Sequence, residues 1–242
     1  MVNMNKIRSA EILCVGTEIL LGQIINTNAA WLARELSLTG IHSYYQTVVG
    51  DNSARLITML ELAAGRSDLI IMTGGLGPTQ DDLTMATVAT FAGRPLLLHA
   101  DCRASIETYF KKMGRTNVSD NNWKQAMMPE GAHVLPNRNG TAPGAILEIT
   151  RPDNRVVSLV MLPGPPSEMQ PMFIDSVKPY LQNKSSTTLR HCFVRLIGIG
   201  ESAAEMRLLD LINNQKNPTI APYASEGEVM FRITQSVDNP EE

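Results

Sequence analysis

Apolar positions in the first hundred residues follow two alternating spacings. Short continuous runs of strand length stand at Ala10–Gly16 (AEILCVG), Ile41–Gly50 (IHSYYQTVVG) and Asp68–Thr73 (DLIIMT). Between them the period changes to that of a helix. In TNAAWLARELSLTG, Ala29, Leu32, Ala33 and Leu36 share a stripe, Thr27 or Asn28 can cap the start, and Gly40 can end the run. In DNSARLITMLELAAG the stripe is Leu56, Ile57, Leu60, Ala63 and Ala64, and DDLTMATVATFAG reads as a third helix. Strands and helices that alternate through short joints make right-handed crossovers and a mostly parallel sheet.

The middle of the chain is less regular. DCRASIETYFKKMG reads as a helix capped by Asp101, and NNWKQAMM as a short helix stopped by Pro129. AHVLP, GAILEI and VVSLVMLPG are strand candidates, and PPSEMQPMFIDSVKPYL is a helix with prolines in its first turn and near its end. The polar stretch 182–189 (QNKSSTTL) lacks periodicity and reads as a linker. Beyond it, RHCFVRLIGIG, ESAAEMRLLDLI, TIAPYAS and EVMFRITQ predict a small β-α-β-β unit. The expected organisation is an α/β domain over 8–181, three layers around a mostly parallel sheet, followed by a small α+β domain over 190–242. The sequence stops where a further helix would cover this second sheet, which suggests a piece of a longer protein.

The stretch SDLIIMTGGLGPTQDDLTMATVATFAG raises the question of chemistry. In an open parallel sheet, ligands sit beyond the carboxyl ends of the strands, and TGGLGPT falls at such an end. Gly74, Gly75 and Gly77 permit positive φ and close backbone approach. Backbone N–H groups in such a turn favour phosphate, and Thr73 and Thr79 add hydroxyls. The pattern is neither a GK[ST] phosphate loop nor GxGxxG. A tight turn with Asp81 or Asp82 capping the next helix is an equal reading. Two adjacent acids beside phosphate-binding amides would repel an anion unless a cation bridges them, so Asp81 and Asp82 suggest Mg²⁺ or Mn²⁺. Other strand ends add Glu18, Asn26, Thr27 and Asn28, then Asp51 and Asn52. Two later turns follow, with Gly140, Thr141, Pro143 and Gly144 in one, and Gly164 before Glu168 in the other. Convergence of these on one sheet edge is the stronger argument.

Composition narrows the field. The 242 residues are 43% hydrophobic and carry a formal net charge of -3, with no Lys/Arg block, so nucleic acid is not an expected partner. Cys14, Cys102 and Cys192 are odd in number and far apart, which suits neither a disulfide framework nor a zinc ribbon, and they read as packing residues. No run has signal-peptide or membrane-spanning character, and a reduced cytoplasmic protein is expected. The four histidines are scattered, and no GxSxG or HExxH occurs.

The ordered set GTEILLGQIINTN, VGDN, TGGLGPTQDD, NNWKQAMMPEGA, GTAPG and LPGPPSEM resembles the CinA (competence/damage-inducible protein A) family from about Ala10 to Tyr180. That region is similar to the molybdopterin-binding fold shared with MogA, MoeA and gephyrin, and His191–Val237 resembles the small middle domain of CinA proteins. The resemblance implies ADP-ribose pyrophosphatase activity needing a divalent metal (Mg²⁺, Mn²⁺ or Co²⁺), helped by K⁺, and a homodimer. It implies Asp82 and Asp51 as the functional acids. The family often has Asp where this chain has Thr17, which leaves Glu18 as the acid there. Many members carry a further domain that deamidates nicotinamide mononucleotide, which these residues do not include. The leading expectation is a hydrolase of ADP-ribose linked to recycling of NAD by-products. The alternatives are a molybdopterin-binding or nucleotide-transfer module, and a non-enzymatic partner protein of competence.

Overall fold

The computed structural model describes residues 6–115, 118–184, 188–225 and 228–237. Strand β1 (Ser9–Val15) leads through a short α1 (Thr17–Leu20) to α2 (Thr27–Leu38), β2 (His42–Val49), α3 (Ser53–Ala64), β3 (Leu69–Thr73) and α4 (Thr84–Phe91). Then come β4 (Leu96–Leu98), α5 (Ala100–Lys112), a 3-10 segment (Asp120–Ala126), β5 (Met127–Pro129), β6 (His133–Leu135), β7 (Gly144–Thr150) and β8 (Val156–Leu162). Helix α6 (Pro166–Met172) runs through a wide π turn (Phe173–Val177) into α7 (Lys178–Lys184). The remainder is β9 (Thr188–Ile197), α8 (Glu201–Asn213), β10 (Thr219–Ser225) and β11 (Glu228–Val237).

The main sheet has the order β2-β1-β3-β8-β7-β6. The first four strands are parallel, while β7 and β6 pair antiparallel at one side. Side chains alternate across a strand, and both faces here are covered. Leu13 and Val15 of β1, Ile70 and Met72 of β3, and Leu159 and Met161 of β8 pack with Leu56, Leu60 and Val88 from α3 and α4. Ile12 and Cys14, Ile71, and Val160 and Leu162 face the other way, onto Leu32, Leu36, Met169 and Phe173. That two-sided burial is why the strands read as continuous apolar runs, and it makes three layers. Glu11 is the polar exception in β1, 1% exposed. Arg66 grips it with two bonds of 2.9 Å. The second unit is an antiparallel sheet, order β10-β11-β9, with Ala204 of α8 packed on Val229 and Phe231.

Several boundaries differ from expectation for local reasons. Asn26, not Thr27 or Asn28, caps α2 by accepting from Ala29 N at 3.2 Å. Helix α4 starts only at Thr84, and neither Asp81 nor Asp82 caps it. Asp101 lies inside the first turn of α5, behind His99 at the cap position. Pro129 does not stop a helix, because the 3-10 segment ends at Ala126 and Met127–Pro129 pairs with β4. The stretch 182–189 is taken up at both ends, with α7 running to Lys184 and β9 starting at Thr188. Cys14 and Cys102 are buried, whereas Cys192 is exposed and fills no core. Burial raises the Cys14 thiol, and burial with Asp101 nearby pushes Cys102 up to about 11, so both are inert thiols.

Glu148 on β7 ties the sheet to α7. It accepts from Tyr180 Oη at 2.7 Å and pairs with Lys184 Nζ, and Tyr180 Oη also meets Ser158 Oγ at 2.8 Å. Burial pushes the Glu148 carboxyl up, but the bonds from Lys184 and Tyr180 outweigh it and hold the carboxyl below its ordinary value. A folded-state pKa below the unfolded one stabilises above the unfolded pKa, and the gain is lost as pH falls through the folded one. Glu148→Gln is therefore expected to melt lower than the parent at pH 7. The loss is under about 1 kcal/mol, because the pair is partly exposed. The gap between the two melting curves should close in acid, and a gap that persists there would exclude the ionic origin.

Candidate functional site

The carboxyl ends of β1, β2, β3 and β8 share one edge, and a cleft of about 660 Å³ opens there. Its floor is the glycine turn after β3. Gly74 N donates to Leu162 O at 3.0 Å, which continues the β3–β8 pairing one residue past the strand. The chain then turns through φ of +103° at Gly74 and +67° at Gly75. Buried Thr84 closes the loop at its base, Oγ1 donating to Gly74 O at 2.8 Å and N to Gly75 O at 3.1 Å.

Two acids are held in the same way. Asp82 Oδ2 accepts from Thr79 N at 2.9 Å and Thr79 Oγ1 at 2.6 Å. Asp51 Oδ2 accepts from Thr17 N at 2.9 Å and Thr17 Oγ1 at 2.8 Å. Each carboxylate is thus anchored through one oxygen. Thr17 here orients Asp51. Three carboxylates also fold over glycines. A Cβ on Gly77 would stand 2.5 Å from Asp82 Oδ2, one on Gly16 would stand 2.6 Å from Glu18 Oε1, and one on Gly140 would collide with Glu168.

Asn28 links three strand ends. Its Nδ2 donates to Thr73 Oγ1 at 2.9 Å and to Gly164 O at 2.7 Å, while Thr73 Oγ1 donates to Pro163 O at 2.8 Å. From the far side the 3-10 segment braces the turn, Lys124 Nζ donating to Thr79 O at 2.6 Å and Gln125 Nε2 to Leu76 O at 3.2 Å.

Most expected site residues meet in this cleft. Glu18, Asn26, Asn28 and Asp51 line it from the first two strand ends. Thr73, Gly74, Gly75, Gly77, Asp81 and Asp82 line it from the third, and Thr141, Gly164 and Glu168 from the later turns. Five do not line it. Asn52 caps α3, accepting from Arg55 N at 3.0 Å, and Pro143 borders a neighbouring hollow. Thr79 acts through Asp82. Gly140 borders a neighbouring hollow of about 420 Å³. Gly144 is buried in β7, where a Cβ would meet Met172 Sδ at 2.5 Å and Met161 O at 2.6 Å, so its smallness serves packing. Gln125, Lys124 and Thr84 were not picked out from sequence. Only the segment NNWKQAMM hinted at the first two, since nothing in its spacing shows which side chains turn inward.

Among the described residues the lining carries the acids Glu18, Asp51, Asp81, Asp82 and Glu168 and no Lys, Arg or His. An anionic ligand against that surface requires a cation between them. Among the described residues no three His, Cys, Asp or Glu side chains form a ready-made metal set. The donor chemistry fits a hard divalent cation that uses one or two carboxylates and completes its shell with ligand oxygens and water.

Residues 11–183 match a family described as "Probable molybdopterin binding domain", and residues 191–242 match the "Damage-inducible protein CinA KH domain". A solved structure titled as the protein CinA with unknown function, from Thermoplasma acidophilum, is 32% identical with a TM-score of 0.63, covering 72% of this chain and 98% of that one. The chain belongs to the CinA family. A competence-damage inducible protein of Clostridium beijerinckii is 51% identical over 233 residues, and a CinA-like protein of Dictyoglomus thermophilum is 50% identical over 232. Each comparison covers 96% of this chain and 55% of the relative, so this CinA chain spans about half the length of these curated relatives. No helix among the described residues is long and apolar enough to cross a membrane.

Proposed function

We propose that this CinA cleft holds a nucleotide pyrophosphate together with a divalent cation and hydrolyses ADP-ribose to AMP and ribose 5-phosphate. The observation that carries the reading is a cleft floored by a glycine turn and lined by five acids and, among the described residues, no cationic side chain. Asp82 and Asp51 would hold the cation, each through the oxygen not engaged by its threonine, with Asp81 alongside. A bound Mg²⁺, Mn²⁺ or Co²⁺ supplies charge neutralisation at the phosphates and makes water a better nucleophile. The glycine turn presents N–H groups to the phosphate oxygens, and Glu18 and Glu168 bound the ligand at either end. Water adds across the P–O–P link: one phosphorus gains its oxygen, the bridging oxygen leaves with the other phosphate, and the proton goes to solvent. K⁺ is a further proposed activator.

The family description favours a second reading, in which the same cleft binds molybdopterin or its adenylated form. Product analysis separates the two. AMP release that appears with Mg²⁺, Mn²⁺ or Co²⁺ and falls to background with EDTA is the expected result. Folded protein with no release under any of these metals, and with pterin fluorescence co-purifying, would transfer the cleft to the second reading.

A further inference from the structure

Two residues that line the cleft each carry an acceptor with no hydrogen-bond partner among the described residues. Gln125 is 6% exposed, lines the cleft, and its Oε1 is buried and unbonded. Asn28 Oδ1 is in the same condition. Neither amide is free to turn over. Gln125 Nε2 is committed to Leu76 O, a pure acceptor. Asn28 Nδ2 is committed to Gly164 O and to Thr73 Oγ1, whose own proton is spent on Pro163 O. Reversing either amide would set oxygen against oxygen. The network thus fixes two buried carbonyl oxygens, on residues that line the cleft, in an orientation in which they can only accept.

An ionised phosphate cannot satisfy such an atom, since it offers no donor. A hydroxyl or an amino group can. We infer that Gln125 and Asn28 are the specificity-determining residues of the cleft, accepting hydrogen bonds from hydroxyl groups of a ribose-bearing ligand. The cleft then selects a nucleotide sugar over inorganic pyrophosphate, and a ribose over a deoxyribose. The inference rests on the proposed ligand class but not on its hydrolysis. A site built to bond a ligand hydroxyl discriminates strongly against the analogue that lacks it, because its own polar group stays unmet.

The test is binding, measured by calorimetry with Ca²⁺ in place of a catalytic metal. The ligands are ADP-ribose, its singly deoxygenated analogues, inorganic pyrophosphate and a reduced pterin. The proteins are the parent, Gln125→Met and Asn28→Leu, with Gln125→Asn as a second, milder variant should Gln125→Met not fold. At least one deoxy analogue should bind the parent about tenfold or more weaker than ADP-ribose, and a variant should bring those two affinities together. Parent-like discrimination in every folded variant, or no Gln125- or Asn28-dependent preference for any ligand, overturns the inference and leaves these oxygens as buried acceptors with no part in ligand choice. Donor-dependent binding without AMP release in Mg²⁺ would sink the hydrolase and leave the inference standing.

Discussion

Asp82→Asn is expected to cut metal-dependent AMP release from ADP-ribose by about 10²-fold or more, the scale on which positioned charged groups act. The substitution is close to isosteric. An Asn oxygen can still accept from Thr79 N, which Asp82 Oδ2 does now at 2.9 Å, so the turn should keep its shape. What goes is the charge that would draw a cation to a lining with no basic side chain among the described residues. Rates of AMP formation with circular dichroism of both proteins would separate the causes. Full turnover in a folded Asp82→Asn protein would remove the residue from the centre of the reaction. A lower melting temperature alone would recast Asp82 as a turn anchor.

Gly74→Ala is expected to be the most damaging small substitution in the fold, with a loss of about 4 kcal/mol. Gly74 has φ of +103°, and a Cβ there would run into the backbone carbonyl oxygen of Val15. Val15 ends β1, the strand beside β3, so relief requires parting the parallel strands at the head of the cleft. Gly93 supplies the control. It has φ of +63° with nothing within 4 Å of its Cβ position, so Gly93→Ala carries only the backbone strain, about 1 kcal/mol. At roughly 2–4 °C per kcal/mol for a chain of this size, Gly74→Ala should melt about 10 °C below the parent and Gly93→Ala only a few degrees below. Equal shifts would show that strain, not the collision with β1, decides the outcome.

The sequence by itself determined the layering. Apolar runs at β1, β3 and β8 between helical stripes leave few arrangements other than a covered, mostly parallel sheet, because a strand without polar alternation must bury both faces. It also singled out a strand end that lines the cleft, since three glycines, two threonines and two acids stand at one βα joint. Tertiary structure decided what those residues do. Asp82 and Asp101 look like caps in one dimension, yet one turns back onto Thr79 and the other lies within its helix, because backbone direction and not spacing sets where a carboxylate points. Gly140 and Gly144 stand four positions apart, yet one lies in a bend against a carboxylate and the other is buried in a strand against two methionines. Most of all, the acceptor pair of Asn28 and Gln125 arises from residues about a hundred positions apart. Their orientation is set by carbonyls of Gly164 and Leu76, groups that every residue carries and no sequence pattern reveals.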